Sequence, residues 1–175
     1  MDELSSIYRV ASVGAGRRDT DAMINDLLTT IPEAIPCELP LVLLHEEDAL
    51  IMHSPTGARG EELSLGEPSV ARRVFHHRRG EVVNDLAADM DGVRELDRRR
   101  VRQMVASPMI SGERCLGVLA ACDSHRGAFT EGDLRLLGVL ADRAALLFDN
   151  LALEASLRRQ VQESEALHLL SRLLT

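Results

Sequence analysis

The chain has 175 residues and a formal charge of −8, with 28 acidic residues against 20 basic ones, every one an arginine. That length holds one domain of ~100–150 residues plus a helix, and not two enzyme domains. The acidic balance argues against nucleic acid as a partner, four aromatic rings are too few for a base-stacking platform, and the lack of lysine removes P-loop, protein-kinase and Schiff-base chemistry.

With 45% apolar residues the chain can bury a core of Leu, Val, Ala, Ile and Met, which excludes disorder as its main state. Cys37, Cys115 and Cys122 form no CxxC pair and leave one over, so they read as reduced core residues of a cytoplasmic protein. No run of about 18 apolar residues occurs, and Met-Asp-Glu-Leu opens the chain without a basic or apolar leader. A soluble, untargeted chain with no metal site and no direct membrane insertion is expected.

Leu4, Ile7, Tyr8 and Ala11 at helical spacing predict a leading helix over 4–13, stopped by Gly14 and Gly16. Asp19 or Thr20 caps a second helix over 21–35, with Met23, Ile24, Leu27, Leu28 and Ile31 on one face and Pro32 and Pro36 ending it. The apolar runs 39–44 and 49–52, around a polar His45–Asp48 turn, predict two strands. Leu63 and Leu65 alternate with polar residues, and Gly66-Glu67-Pro68-Ser69 opens a helix carrying Val70, Val74 and Phe75 that ends near Arg79-Gly80.

Residues 81–85 read as a brief strand, and 91–102 as an Arg-rich helix or loop. Two central strands follow, 104–110 and 115–122, joined by Ser111-Gly112-Glu113-Arg114. Thr130 caps a long helix that turns Leu134, Leu137, Leu140, Ala141, Ala144 and Leu147 inward. From Leu153 a 4-3 spacing falls on Leu153, Leu157, Gln160, Ser164, Leu167, Ser171 and Leu174, a weak coiled coil rather than a core helix. With no stop signal before Thr175, residues 153–175 read as a connector toward an output domain or a second sensory domain.

The order of these elements, with Ala106-Ser107-Pro108-Met109-Ile110, Leu116-Gly117-Val118-Leu119, Phe129-Thr130-Glu131-Gly132-Asp133-Leu134 and the run 140–153 containing Asn150, resembles the GAF domain. The resemblance covers about residues 4–152, within a domain taken as 1–152. It implies an α+β, GAF/PAS-like fold: a six-stranded antiparallel sheet flanked by helices on both faces, with long N- and C-terminal helices and a cavity roofed by residues 66–102. It also implies a role in small-molecule sensing or dimerisation within a signal-transduction protein.

Specific versions of the family fit poorly. Phe129 and Asp133 match part of a cyclic-nucleotide signature, but Asp123-Ser124 and Leu134 stand where its other members are expected, and the purine-facing positions fall on Asp97, Val101 and Ala120. Bilin attachment needs a Cys that residues 68–105 do not supply. Haem ligation would draw on His53, His76 or His77, which read more simply as solvated polarity. The methionine sulfoxide reductase branch has thiols between the helix after Gly66 and the strand at Ala106, where this chain has none.

The expected pocket residues are His53, Ser69, Val70, Asn84, Asp97, Val101 and Ser107, several of which read equally as turn, cap or strand polarity. The Arg pairs 72–73 and 78–79, and Arg98-Arg99-Arg100 with Arg102, read as solvated faces or as an anion-binding roof. Two functions from different classes remain. One is a non-catalytic, ligand-gated regulatory domain without a resident cofactor, in a histidine kinase-like or similar protein. The other is a ligand-free scaffold in which Leu4, Ile7, Tyr8 and Ala11 pack with Leu153, Leu157 and Leu167 in a homodimer.

Overall fold

A computed structural model describes residues 15–56, 60–91 and 100–175. The expected helix over 4–13, with Leu4, Ile7, Tyr8 and Ala11, lies outside the described residues, as does Asp97. The elements in order are α1 (Ala15–Ala34), β1 (Cys37–Glu46), β2 (Ala49–His53), β3 (Glu61–Ser64), α2 (Val70–His77), β4 (Glu81–Val83), β5 (Met104–Ser111), β6 (Arg114–Ser124) and α3 (Glu131–Leu173). The six strands form one antiparallel sheet in the order β3-β2-β1-β6-β5-β4.

The apolar runs become strands because neighbouring strands bury them on both sides. β1 and β6 are buried through most of their length, and their alternate residues feed two separate cores. On one face α1 (Ile24, Leu28, Ile31) and α3 (Leu137, Ala141, Ala144, Phe148) pack on Val42, Leu44, Val105 and Leu119. On the other, α2 packs Val70, Ala71 and Val74 on Leu41, Leu43, Met104, Ala106, Val118 and Ala120.

The strand prolines obey the ladder. Pro40 pairs with Ala121 of β6, outside the stretch where β2 meets β1, and Pro108 pairs with Val118 outside the stretch where β4 meets β5. Each lies where its strand is paired on one side alone, so the missing N–H costs no ladder bond.

Several expectations shift in detail. α1 starts at Ala15, so Asp19 and Thr20 lie within the helix and do not cap it, and Pro32 sits in its last turn. The β5–β6 hairpin turns on Gly112 and Glu113, with Gly112 at φ 59, where a side chain would be strained. Leu147 is 41% exposed, while Ala145 and Phe148 take the inward positions expected of it, because α3 turns its core stripe by one residue.

Caps hold the helix ends where the sequence placed them. Ser69 accepts a hydrogen bond from the Arg72 N–H at 3.0 Å, and Arg78 closes α2 in the left-handed conformation. Thr130 and Asp133 form a reciprocal capping box at the start of α3. From there α3 runs unbroken for 43 residues, its last buried side chain being Ala152.

Candidate functional site

The α2 face of the sheet is the candidate site, since there, among the described residues, the short helix α2 and the segments after Gly66 and Asn84 cover the strands. Its floor is Leu41, Leu43, Met104, Ala106, Val118, Ala120 and Cys122, and its roof is Val70, Ala71, Val74, Leu86 and Val101. These side chains pack against one another as one buried core of hydrocarbon and a single thiol. Such a core offers no acid–base pair for chemistry.

The structure brings Val70 and Val101 together here, 1% and 9% exposed, with Ser69 at the rim as the cap of α2. His53 and Ser107 lie on the opposite face. Residues two apart share a side of a strand. Met52 and Ala106 face α2, so their neighbours His53 and Ser107 must face α1 and α3. Ser107 sits beneath Gly138 of α3. His53 is shifted toward the neutral form by burial, partly offset by the charges of Asp21 and Glu46.

Asn84 is occupied elsewhere. Its amide nitrogen donates to the Phe129 carbonyl at 2.9 Å and its oxygen accepts from the Phe129 N–H at 2.8 Å, tying the end of β4 to the entrance of α3. Asp123 does similar work at the end of β6, accepting from the N–H groups of Arg102 and Gln103 at 2.8 and 3.0 Å. Gln103 in turn donates to the Gly127 carbonyl at 2.6 Å. Sequence reasoning missed Gln103 and the role of Asp123; a left-handed Asp after a strand is the kind of signal that marks such a corner.

The Arg-rich roof also proves to be divided. Arg73 is no solvated cation. Its guanidinium bonds Glu81, Asp89 and Asp91 at 2.7–3.1 Å, joining α2 to β4 and the following loop, and these carboxylates, Asp89 first, hold its proton more tightly than usual. Arg78 and Arg79 are exposed, and the Arg72 Nε is buried without a partner among the described residues.

A concavity of about 220 Å³ lies at the C-terminal end of α2, between His45, Phe75, His76, Arg78, the turn residue Glu113 and Arg114 and Cys115 at the start of β6. The Phe75 ring touches His45 and His76, at centroid distances of 4.7 and 5.6 Å.

The three cysteines form no disulfide and their side chains belong to different parts of the fold. Cys37 belongs to the α1/α3 core, Cys122 to the α2 core, and Cys115 lies seven residues from Cys122 along β6, about 23 Å away. Burial pushes the Cys37 thiol up to about 11 and raises that of Cys115, which keeps both protonated near neutrality. Among the described residues no group of His, Cys, Asp and Glu is placed to hold a metal ion, and no helix is long and apolar enough to cross a membrane.

Comparison with known proteins agrees with this architecture. The GAF domain family matches residues 17–149. Curated proteins give no match. Among solved structures, the chain is similar to a GAF domain/HD domain protein from Geobacter sulfurreducens, 15% identical over 87% of this chain and 99% of that one, with a TM-score of 0.66. It is also similar to the GAF domain of a two-component sensor histidine kinase from Bacillus halodurans, at 21%, 77%, 96% and 0.64 in the same order. The free methionine-R-sulfoxide reductase from Neisseria meningitidis gives 25%, 87%, 89% and 0.60. The match over most of the chain, with the six-stranded sheet and its helices, makes this protein a member of the GAF domain family.

Proposed function

We propose that the chain is the non-catalytic, cytoplasmic sensing domain of a larger signal-transduction protein, working as a homodimer and passing the state of its α2-face chamber outward through α3. The observation that carries this reading is the continuity of α3: its first six turns, to Ala152, pack in the core shared with α1, and the same helix then runs on for about 32 Å beyond that residue. A ligand that favours one packing of α2 over another shifts the sheet, and an unbroken helix carries that displacement to a neighbouring module. Similarity to the Bacillus halodurans sensor-kinase domain supports the setting. The Arg72 Nε, buried without a partner among the described residues, is one group that a ligand acceptor atom would satisfy.

The similarity to a methionine-R-sulfoxide reductase gives a second reading a definite form. Sulfoxide reduction needs an ionisable, accessible thiol and a second thiol within reach. Cys37 and Cys122 on opposite faces of the sheet and a half-buried Cys115 do not provide that pair, which supports the non-catalytic reading.

Native mass spectrometry of the purified protein, beside a denatured spectrum, tests the proposal. A dimer carrying extra mass that is lost on denaturation is the expected result. A bare dimer would favour the scaffold, and consumption of free methionine-R-sulfoxide with a dithiol reductant would establish the reductase instead.

A further inference from the structure

The concavity at the end of α2 is built differently from the hydrocarbon core beside it. Leu86 and Val101 roof that core near Met104, which pairs with Cys122 at one end of β6, whereas the concavity opens beside Arg114 and Cys115 at the other end of the strand. Three rings, His45, Phe75 and His76, give it an apolar wall, and Arg78 and Arg114 add two positive charges to its lining.

Neither guanidinium is used up within the chain. Arg114 commits only Nη2, which donates to Asp149 Oδ1 at 3.2 Å, and Arg78 makes no hydrogen bond or ion pair among the described residues. Glu113, in the hairpin turn, is the carboxylate among the lining residues. The C-terminal pole of a helix disfavours an anion. Here α2 is only eight residues long, and Arg78 stands at that pole in the left-handed conformation with its charge reaching the Cys115 thiol.

We propose that this concavity binds a small organic monocarboxylate with a planar, apolar body, a molecule of the size of benzoate. The free edge of Arg114 and the Arg78 guanidinium supply charge-assisted donors for the carboxylate, and the Phe75 and His76 rings supply edges and faces for the body. The volume sets the size, since a cavity of about 150 Å³ holds benzene and the 220 Å³ here leaves room for a carboxylate as well. Asp149 belongs to α3 and also accepts from the Ser111 hydroxyl at 2.7 Å, so an occupant held by Arg114 stands one ion pair from the helix that runs on beyond the domain. This site is independent of any ligand bound under α2 at Val70 and Val101.

Titration of the full chain with sodium benzoate, followed by calorimetry and by the imidazole proton signals, tests the proposal. The chain has six histidines, and the signal that disappears in H76Q marks the concavity. The expected result is a dissociation constant on the order of 1 mM with a shift of that signal. Binding should weaken by at least ~10-fold in R78Q, which removes a charge-assisted donor, and by a similar factor for benzamide, which keeps the ring without the charge. Circular dichroism of R78Q should be unchanged, because Arg78 is exposed. Benzamide binding as tightly as benzoate would overturn the role of the cations, and inorganic phosphate binding more tightly than benzoate would overturn the apolar half of the site. Benzoate that shifts other histidines and not His76, or that binds R78Q and R114K as it binds the parent chain, would place the ligand elsewhere and refute the proposal. Absence of both heat and shift up to ~20 mM benzoate, far above the dissociation constant of such a site, would refute it outright.

Discussion

Asn84→Ala removes the clamp between the sheet edge and α3, and its cost follows from the two bonds it breaks. The amide makes bonds of 2.9 and 2.8 Å to the Phe129 carbonyl and N–H, and Phe129 is only 3% exposed. Each such bond contributes about 1 kcal/mol net, and a buried backbone group left unpaired costs about 1–3 kcal/mol. Water reaches part of this corner, so the expected loss is about 2–4 kcal/mol in urea unfolding, with an unchanged m value. Asn84→Asp keeps the acceptor for the N–H but sets a carboxylate oxygen against the Phe129 carbonyl, so it should lose at least as much at pH 7. A loss below about 0.5 kcal/mol for both variants, the range of ordinary surface changes, would refute the clamp and return Asn84 to the set of ligand-facing residues.

Arg73→Ala should lower stability by about 2–3 kcal/mol by stranding Glu81, Asp89 and Asp91 together, and Arg73→Lys should recover only part of it because an ammonium cannot make the paired bonds; thermal melts showing full rescue by lysine would contradict this. Gly117→Ala should cost over ~3 kcal/mol, since a Cβ there would overlap the Leu43 carbonyl across the β1–β6 ladder, and a stable variant with native circular dichroism would count against that close approach. Alkaline titration should reveal Cys37. Its thiol rises from 9.0 to about 11 on folding, so its contribution is complete below pH 9 and is lost as pH climbs toward 11, by up to about 2–3 kcal/mol. The chain has no lysine to titrate in that window, and Cys115 is raised in the same sense, so the part that belongs to Cys37 is the slope that Cys37→Ser removes in urea unfolding. His53 works in the opposite sense, its lowered value giving stability that is present above pH 6.5 and lost on acidification, an effect His53→Gln should abolish.

Local chemistry made much of this protein legible. Ser69 and Thr130 cap helices because their hydroxyls satisfy N–H groups three residues on, a purely local relation. The hairpin at Gly112, the order of strands and helices, and the long unbroken α3 follow in the same way from turn residues and periodicity. On the same helix Leu136, Val139 and Leu146 are exposed beside the buried Leu137, Ala141 and Ala144, and only the packing separates the two sets.

Which face each residue of the sheet presents was decided by tertiary structure. β1, β5 and β6 are apolar on both sides, so alternation divides their residues into two sets without saying which set lies under α2. His53 and Ser107 are expected in the pocket wall as polar residues within the resemblance, and they lie on the far side of the sheet for that reason. The roles of Asn84, Arg73 and Asp123 were hidden for a second reason, since their partners lie 8–45 residues away in the chain. The sequence determined the elements and their ends; the packing of helices on a two-faced sheet decided which side chains share a site.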